Sequence, residues 1–288
     1  MCAASPRGRY RVGYGSRVIG KRIGWVAAVA AALLAAGCGS EHHTPGHARH
    51  VAAGPEPSGT AGSTRAPSPA PALHGRVIVV DAGHNGGNFQ HTRQIDRLVD
   101  AGGFRKECDT TGTETAAGYE EAAFTFDVTK RLTALLRADG ARVVLTRHDN
   151  HSVGPCVNER AAVGNKAHAD AALSIHADGG PADGHGFHVM YPATMSGGKK
   201  AQAASHRLAA TVRDAYRHGT GLPAADYIGT DGLNRRTDMA GLNLSTVPKV
   251  LLECGNMRNG RDAAKLSSPT FRQRIAVSLD AAFRDYLS

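Results

Sequence analysis

The 288-residue chain lacks an apolar run long enough to cross a bilayer. Its longest, IGWVAAVAAALLAA from Ile23 to Ala36, spans about 14 residues against the roughly 20 that a spanning helix needs. It lacks internal repeats, which sets aside solenoid and propeller architectures. The leader holds no twin-arginine pair, leaving the general secretion route for export. Charge of one sign is also scarcer than the formal net charge of +9 suggests. Arg7, Arg9, Arg11, Arg17, Lys21 and Arg22 all precede the first acidic residue, Glu41, and without them the excess is about three. A basic face for nucleic acid is not expected, and no nucleic-acid partner is assigned.

What the N-terminus does contain is a basic region that runs into that apolar segment and then into small residues, the composition of a secretory signal over residues 1–37. The basic region is long for a signal peptide, and a later start codon, at Val12 or Val18, is compatible with the same reading. Leu34-Ala35-Ala36-Gly37-Cys38 resembles a bacterial lipobox, with Ala35 where leucine is usual. That resemblance implies lipidation of Cys38 and membrane association through the anchor. Ordinary signal cleavage, with Cys38 incidental, is the alternative. Either route places the mature protein outside the cytoplasm, as a membrane lipoprotein or secreted to the cell wall. Residues 38–73 are rich in Pro, Gly, Ser and His without apolar periodicity, so they cannot offset the entropy of ordering and read as a disordered tether. His42, His43, His47 and His50 within it are read as solvated.

From residue 74 to 288 the pattern predicts a single α/β domain with a largely parallel mixed sheet flanked by helices. RVIVV (76–80), ARVVLT (141–146), AALSI (171–175), GFHVMY (186–191) and KVLLE (249–253) read as strands, several buried on both faces. The segment 120–140 places Phe124, Val128, Leu132 and Leu135 at helical spacing and ends in Asp-Gly, a helix with a glycine stop. Further helices are expected over 157–168, 198–218 and 268–286. Residues 88–119 show no sustained periodicity, and a loop of that length in a compact domain is functional or poorly ordered.

Functional groups in open α/β sheets gather at the carboxyl ends of the strands. His84 follows the first strand in DAGH and His176 follows another in SIHAD, so the two can converge although distant in sequence. A third ligand would come from the start of the 120–140 helix, where Glu120 and Glu121 are adjacent. Acids in a first helical turn are also favoured by the helix dipole alone, and a lone histidine in a turn is commonly a hydrogen-bonded residue. Spacing leaves both readings open.

The ordered set VIVVDAGHNGG, GYEEAAFTFDVTKRLTALLRADGARVVLTR, NERAAVGNKAHADAALSIHADGG and PKVLLECGNMRN closely resembles the zinc-dependent N-acetylmuramoyl-L-alanine amidases, over about residues 76–287. The resemblance implies zinc as cofactor, with His84, Glu121 and His176 as ligands and Glu120 as the fallback acid. A His/Glu/His set with a place left for water suits a catalytic rather than a structural zinc. It also implies that Glu253, in LLECGN, is the general base on the water that zinc activates, later passing the proton to the departing amine. Cys254 beside it is read as a buried apolar residue. Asn85, Gly86 and Gly87 are expected to shape the turn, and Arg160 to orient or support. Asp81 is expected either to accept from a ligand histidine or to cap the turn. Mycobacterial-type members carry cysteines in similar contexts, and Cys108 and Cys156 are expected to form a disulfide, which outside the cytoplasm would persist.

The implied activity is hydrolysis of the amide between the lactyl group of N-acetylmuramic acid and L-alanine in peptidoglycan, by a protein read as a monomer. Two other readings stand beside it: another zinc peptidase or deacetylase, and a catalytically silent cell-wall-binding lipoprotein, which predicts a missing ligand or base.

Overall fold

The computed structural model describes residues 71–288. The expected signal segment, Cys38 and most of the tether lie outside the described residues. The elements run β1 (Val77–Ala82), a 3-10 turn (Gly86–Gln90), α1 (Thr92–Ile95), β2 (Leu98–Asp100), β3 (Arg105–Glu107), α2 (Glu121–Ala138), β4 (Arg142–Leu145) and α3 (Val157–Ala167). They continue as β5 (Ala171–Asp178), β6 (His188–Pro192), α4 (Gly198–Thr220), β7 (Leu233–Arg236), α5 (Ala240–Asn243), β8 (Lys249–Asn256), α6 (Gly260–Leu266) and α7 (Pro269–Leu287).

The main sheet has six strands in the order β4-β1-β5-β8-β6-β7. β4, β1, β5 and β8 run parallel, β6 turns antiparallel against β8, and β7 follows β6. This is the expected mixed, largely parallel sheet. Its central strands are apolar on both faces because both faces are covered. Ile78, Val80, Leu173, Ile175, Val250 and Leu252 belong to the larger core, which also holds residues of α2, α4 and α7. Val79 and Ala172 on the opposite face pack toward α3, and Leu251 and Met190 pack on Leu242 of α5. Asp81, Ser174, His176 and Glu253 alternate onto this second face, the one that carries the chemistry.

α2 shows why the helical reading works and where it slips. Phe124, Val128 and Leu132 are fully buried as expected, each burial contributing roughly 1.5–3 kcal/mol. The fourth member of the stripe is Leu136 rather than Leu135, which is only partly buried, because the i+4 step continues the same face. The helix stops where predicted: Gly140 takes φ 89, a left-handed value suited to glycine. α7 begins with Ser268 accepting from the Phe271 N–H and Pro269 in its first turn.

Two expectations need correction, and one strand was not anticipated. Leu73, assigned to the tether by composition, is fully buried in the core and its N–H donates to the Asp139 carbonyl. Residues 88–119 are not one loop: they hold the 3-10 turn, α1 and a β2-β3 hairpin whose strands are too short to show a period. β7, LNRR, forms an edge strand without apolar alternation, its sequence partly facing solvent.

Candidate metal centre and active site

The end of β1 is the anchor. Ala82 and Gly83 are held by two buried guanidinium groups. Arg160 donates to the Ala82 carbonyl (2.7 Å) and the His84 carbonyl (2.9 Å), and Arg147 donates to Ala82 (3.0 Å) and Gly83 (3.3 Å). Arg147 also donates to the Ala122 carbonyl in the first turn of α2 (2.8 Å), which ties that turn to the end of β1. With its turn fixed this way, His84 adopts φ 55, a left-handed conformation uncommon for a non-glycine residue that persists only where its surroundings over-determine it. Gly83 has no substitute, because a Cβ there would run into the His176 ring. Gly86 and Gly87 have ordinary φ; their role is close approach to the carbonyls of Asn150 and Ser152.

Three donor groups converge. His84 Nε2 lies 3.3 Å from Glu121 Oε2, and His176 Nδ1 lies 2.9 Å from Glu121 Oε1. One ligand atom from each of His84, Glu121 and His176 falls within 4.8 Å of the others. Glu120, the fallback acid, is exposed and occupies the N-cap position of α2, whereas Glu121 is buried in the first turn. Glu121 is further fixed by the N–H groups of Thr113 (3.0 Å) and Ala177 (3.1 Å). Burial alone would raise its pKa, but the charges of His84 and His176 and their hydrogen bonds to it hold it well below the usual carboxylate range. Burial would lower the pKa of His84; the carboxylates of Glu121 and Asp109 outweigh it and push the imidazole well above its ordinary value. The site therefore favours added positive charge.

Asp109 is the site residue that sequence reasoning missed. Its Oδ1 lies 3.1 Å from His84 Nδ1 and its Oδ2 accepts from Arg160 at 3.0 Å. These partners hold its carboxyl at about 2 against the opposing effect of burial. The acceptor role expected of Asp81 thus belongs to Asp109. Asp81 is instead a buried hub, with Oδ1 accepting from Thr146 (2.7 Å) and Arg160 (2.9 Å), and Oδ2 from Ser174 (2.9 Å) and Lys249 (3.2 Å). Asp109 sits next to Cys108, which is bonded to Cys156 at the head of α3, the helix that carries Arg160. Gly112 (φ 77) closes over the ligands, since a Cβ there would lie 2.8 Å from Glu121 Oε2 and 2.9 Å from His84 Cδ2.

Glu253 stands opposite His176 in the β5-β8 register. It is 9% exposed, and its Oε2 is buried without a hydrogen-bond partner. Burial and the nearby carboxylates of Glu121 and Asp178 raise its pKa well above the ordinary value. Cys254, next in β8, points into the larger core and is free and buried. A cavity of about 200 Å³ opens at His84, His176 and Glu253 and runs along the sheet face, walled by Met239 at the head of α5, Leu242 within it, and Lys106 and Glu107 of the hairpin.

The sequence family described as N-acetylmuramoyl-L-alanine amidase matches residues 78–284. The chain is 42% identical over 217 residues to the N-acetylmuramoyl-L-alanine amidase Rv3717 of Mycobacterium tuberculosis, covering 75% of this chain and 88% of that protein. The solved structure of the N-acetylmuramyl-L-alanine amidase Ami1 of Mycobacterium smegmatis matches with a TM-score of 0.71 at 43% identity, covering 75% of this chain and 98% of that one. The amidase AmiC2 of Nostoc punctiforme shares the fold at a TM-score of 0.56 and 21% identity, covering 74% and 97% respectively.

Proposed function

The chain belongs to the N-acetylmuramoyl-L-alanine amidase family and is a peptidoglycan hydrolase, and from that premise we propose that it cleaves the amide between the muramic acid lactyl group and L-alanine with a zinc ion held by His84, Glu121 and His176. The observation that carries this reading is the convergence of those three donors within 4.8 Å of one another, beside the buried carboxylate of Glu253. The donor set fits zinc, which takes imidazole nitrogen and carboxylate oxygen. Donation of the Nδ1 proton of His84 to Asp109 leaves Nε2 as the ligand atom. When bound, zinc supplies a Lewis acid that acidifies water and polarises an amide carbonyl.

The chain's own groups do the rest. With Oε2 of Glu253 sealed, Oε1 takes the proton of the attacking water and returns it to the departing amine of L-alanine. A raised pKa suits a group that must hold that proton between the two steps. The cavity walls of Met239, Leu242 and Leu251 offer the apolar surface against which the alanine and lactyl methyl groups lie.

The leader and the Leu34–Cys38 segment support an extracytoplasmic enzyme anchored by lipid at Cys38, acting as a monomer on the wall polymer. Among the described residues no helix is long and apolar enough to cross a membrane.

The test is mass spectrometry of the products from a defined muropeptide, with and without a chelator. Release of the intact stem peptide, lost on chelation and restored by zinc, is the expected outcome. Cleavage within the peptide, or deacetylation of the sugar, overturns the assigned bond.

A further inference from the structure

Beyond Glu253 the same sheet face carries a polar side chain that neither the reaction nor the Asp81 network uses. His188 of β6 is the cross-strand partner of Glu253. Directly opposite residues project from one face with Cβ atoms about 4.5–5.5 Å apart. Across β5, β8 and β6 the row therefore reads His176, Glu253, His188. His188 is 0% exposed. Both of its ring nitrogens are buried without a hydrogen-bond partner, as is Oε2 of Glu253. Three unpaired polar atoms on two facing side chains are costly apart, and a hydrogen bond between one ring nitrogen and Oε2 would satisfy two of them.

The surroundings keep this pair enclosed. The ring of Tyr227 stands edge-on to His188 at 6.4 Å, and its hydroxyl donates to Asp178 Oδ2 at 3.0 Å. Tyr227 is seated against Gly180 and Gly184, where a Cβ would come within 2.7 and 2.6 Å of its ring. Asp178 of β5 and Arg236 of β7 act on both side chains, and Glu121 of α2 acts on Glu253. Burial, opposed by Asp178, brings His188 down to about 4. At neutral pH its imidazole is uncharged and has one N–H to give. His188 is not among the three residues whose donor atoms cluster for a metal.

We propose that His188 is a positioning residue for the base: its ring N–H, directly or through one buried water, hydrogen-bonds Oε2 of Glu253 and leaves Oε1 to handle the proton. The inference rests on Glu253 being the base.

Zinc-loaded wild type, Glu253→Gln, His188→Phe and the double variant are compared on one muropeptide, with zinc content measured for each. Glu253→Gln is expected to lower kcat by roughly 10² to 10⁴. His188→Phe is expected to lower kcat by about 10- to 100-fold, with KM nearly unchanged and full zinc content. In the Glu253→Gln background it should cost nothing further, because its effect runs through the carboxylate. A donor to the ionised form lowers a carboxylate pKa, so its loss should move the acid limb of kcat/KM to higher pH. His188→Gln, which keeps an N–H donor, should recover part of the loss and stands in if the phenylalanine variant does not fold. An unchanged kcat, an equal loss in the Glu253→Gln background, or lost zinc overturns the proposal. Full activity in Glu253→Gln overturns the base assignment itself, so the two failures are distinguishable.

Discussion

At the scale of single residues, the site depends on groups that no motif announces. Asp109 faces His84 through one oxygen and Arg160 through the other, so it holds the ring's orientation and, with Nε2 on a metal, would keep the proton on Nδ1. Partners of this kind are worth about 10- to 100-fold in metal affinity. Asp109→Ala should weaken zinc binding by that order, measured by competition against a chelating dye, with far-ultraviolet circular dichroism confirming that the fold persists. Unchanged affinity would show that Arg160 and the turn alone suffice to aim His84. His84, Glu121 and His176 themselves were legible, because a strand end and a helix start are local features and the family resemblance supplied their order. Asp109 was not: it lies in a stretch without periodicity, 25 positions from its partner.

At the scale of elements, the β2-β3 hairpin and the first turn of α3 are stapled to each other by Cys108 and Cys156, a separation of 48 residues. Closing a loop of that length stabilises by about 4 kcal/mol in the chain-entropy model. Replacing both cysteines by serine should lower the unfolding free energy by up to that amount in urea denaturation. It should also loosen zinc, because Cys108 adjoins Asp109, and Cys156 heads the helix of Arg160. A fall in stability with zinc affinity intact would confine the staple to the fold. The pairing was anticipated from resemblance. The hairpin was not, since strands of three residues are too short to register a period of two.

For the whole molecule, the buried charges set the acid limit. Asp109 has a folded pKa of about 2, depressed below the ordinary carboxylate value near 3.9. Its contribution is therefore complete above about pH 4 and is lost as pH falls through about 2, on the order of 2 kcal/mol. Asp81, paired with Arg160 and Lys249, is depressed in the same direction. Unfolding free energy should fall steeply between pH 4 and pH 2, and Asp109→Asn should flatten that slope. An unchanged slope would locate the acid sensitivity in the other depressed buried carboxylates, Asp81 and Glu121.

The sequence by itself determined the alternation of strands and helices and the glycine stop after α2, which rest on local periodicity, and its short motifs, through the family resemblance, named His84, Glu121, His176 and Glu253 as candidates. Only the tertiary structure decided who stands beside them. Strand order β4-β1-β5-β8-β6-β7 brings Lys249 to Asp81 across 168 positions and sets His188 opposite Glu253. Sheet order and register arise from the packing of both faces at once, and a one-dimensional pattern carries no record of which strand will lie next to which.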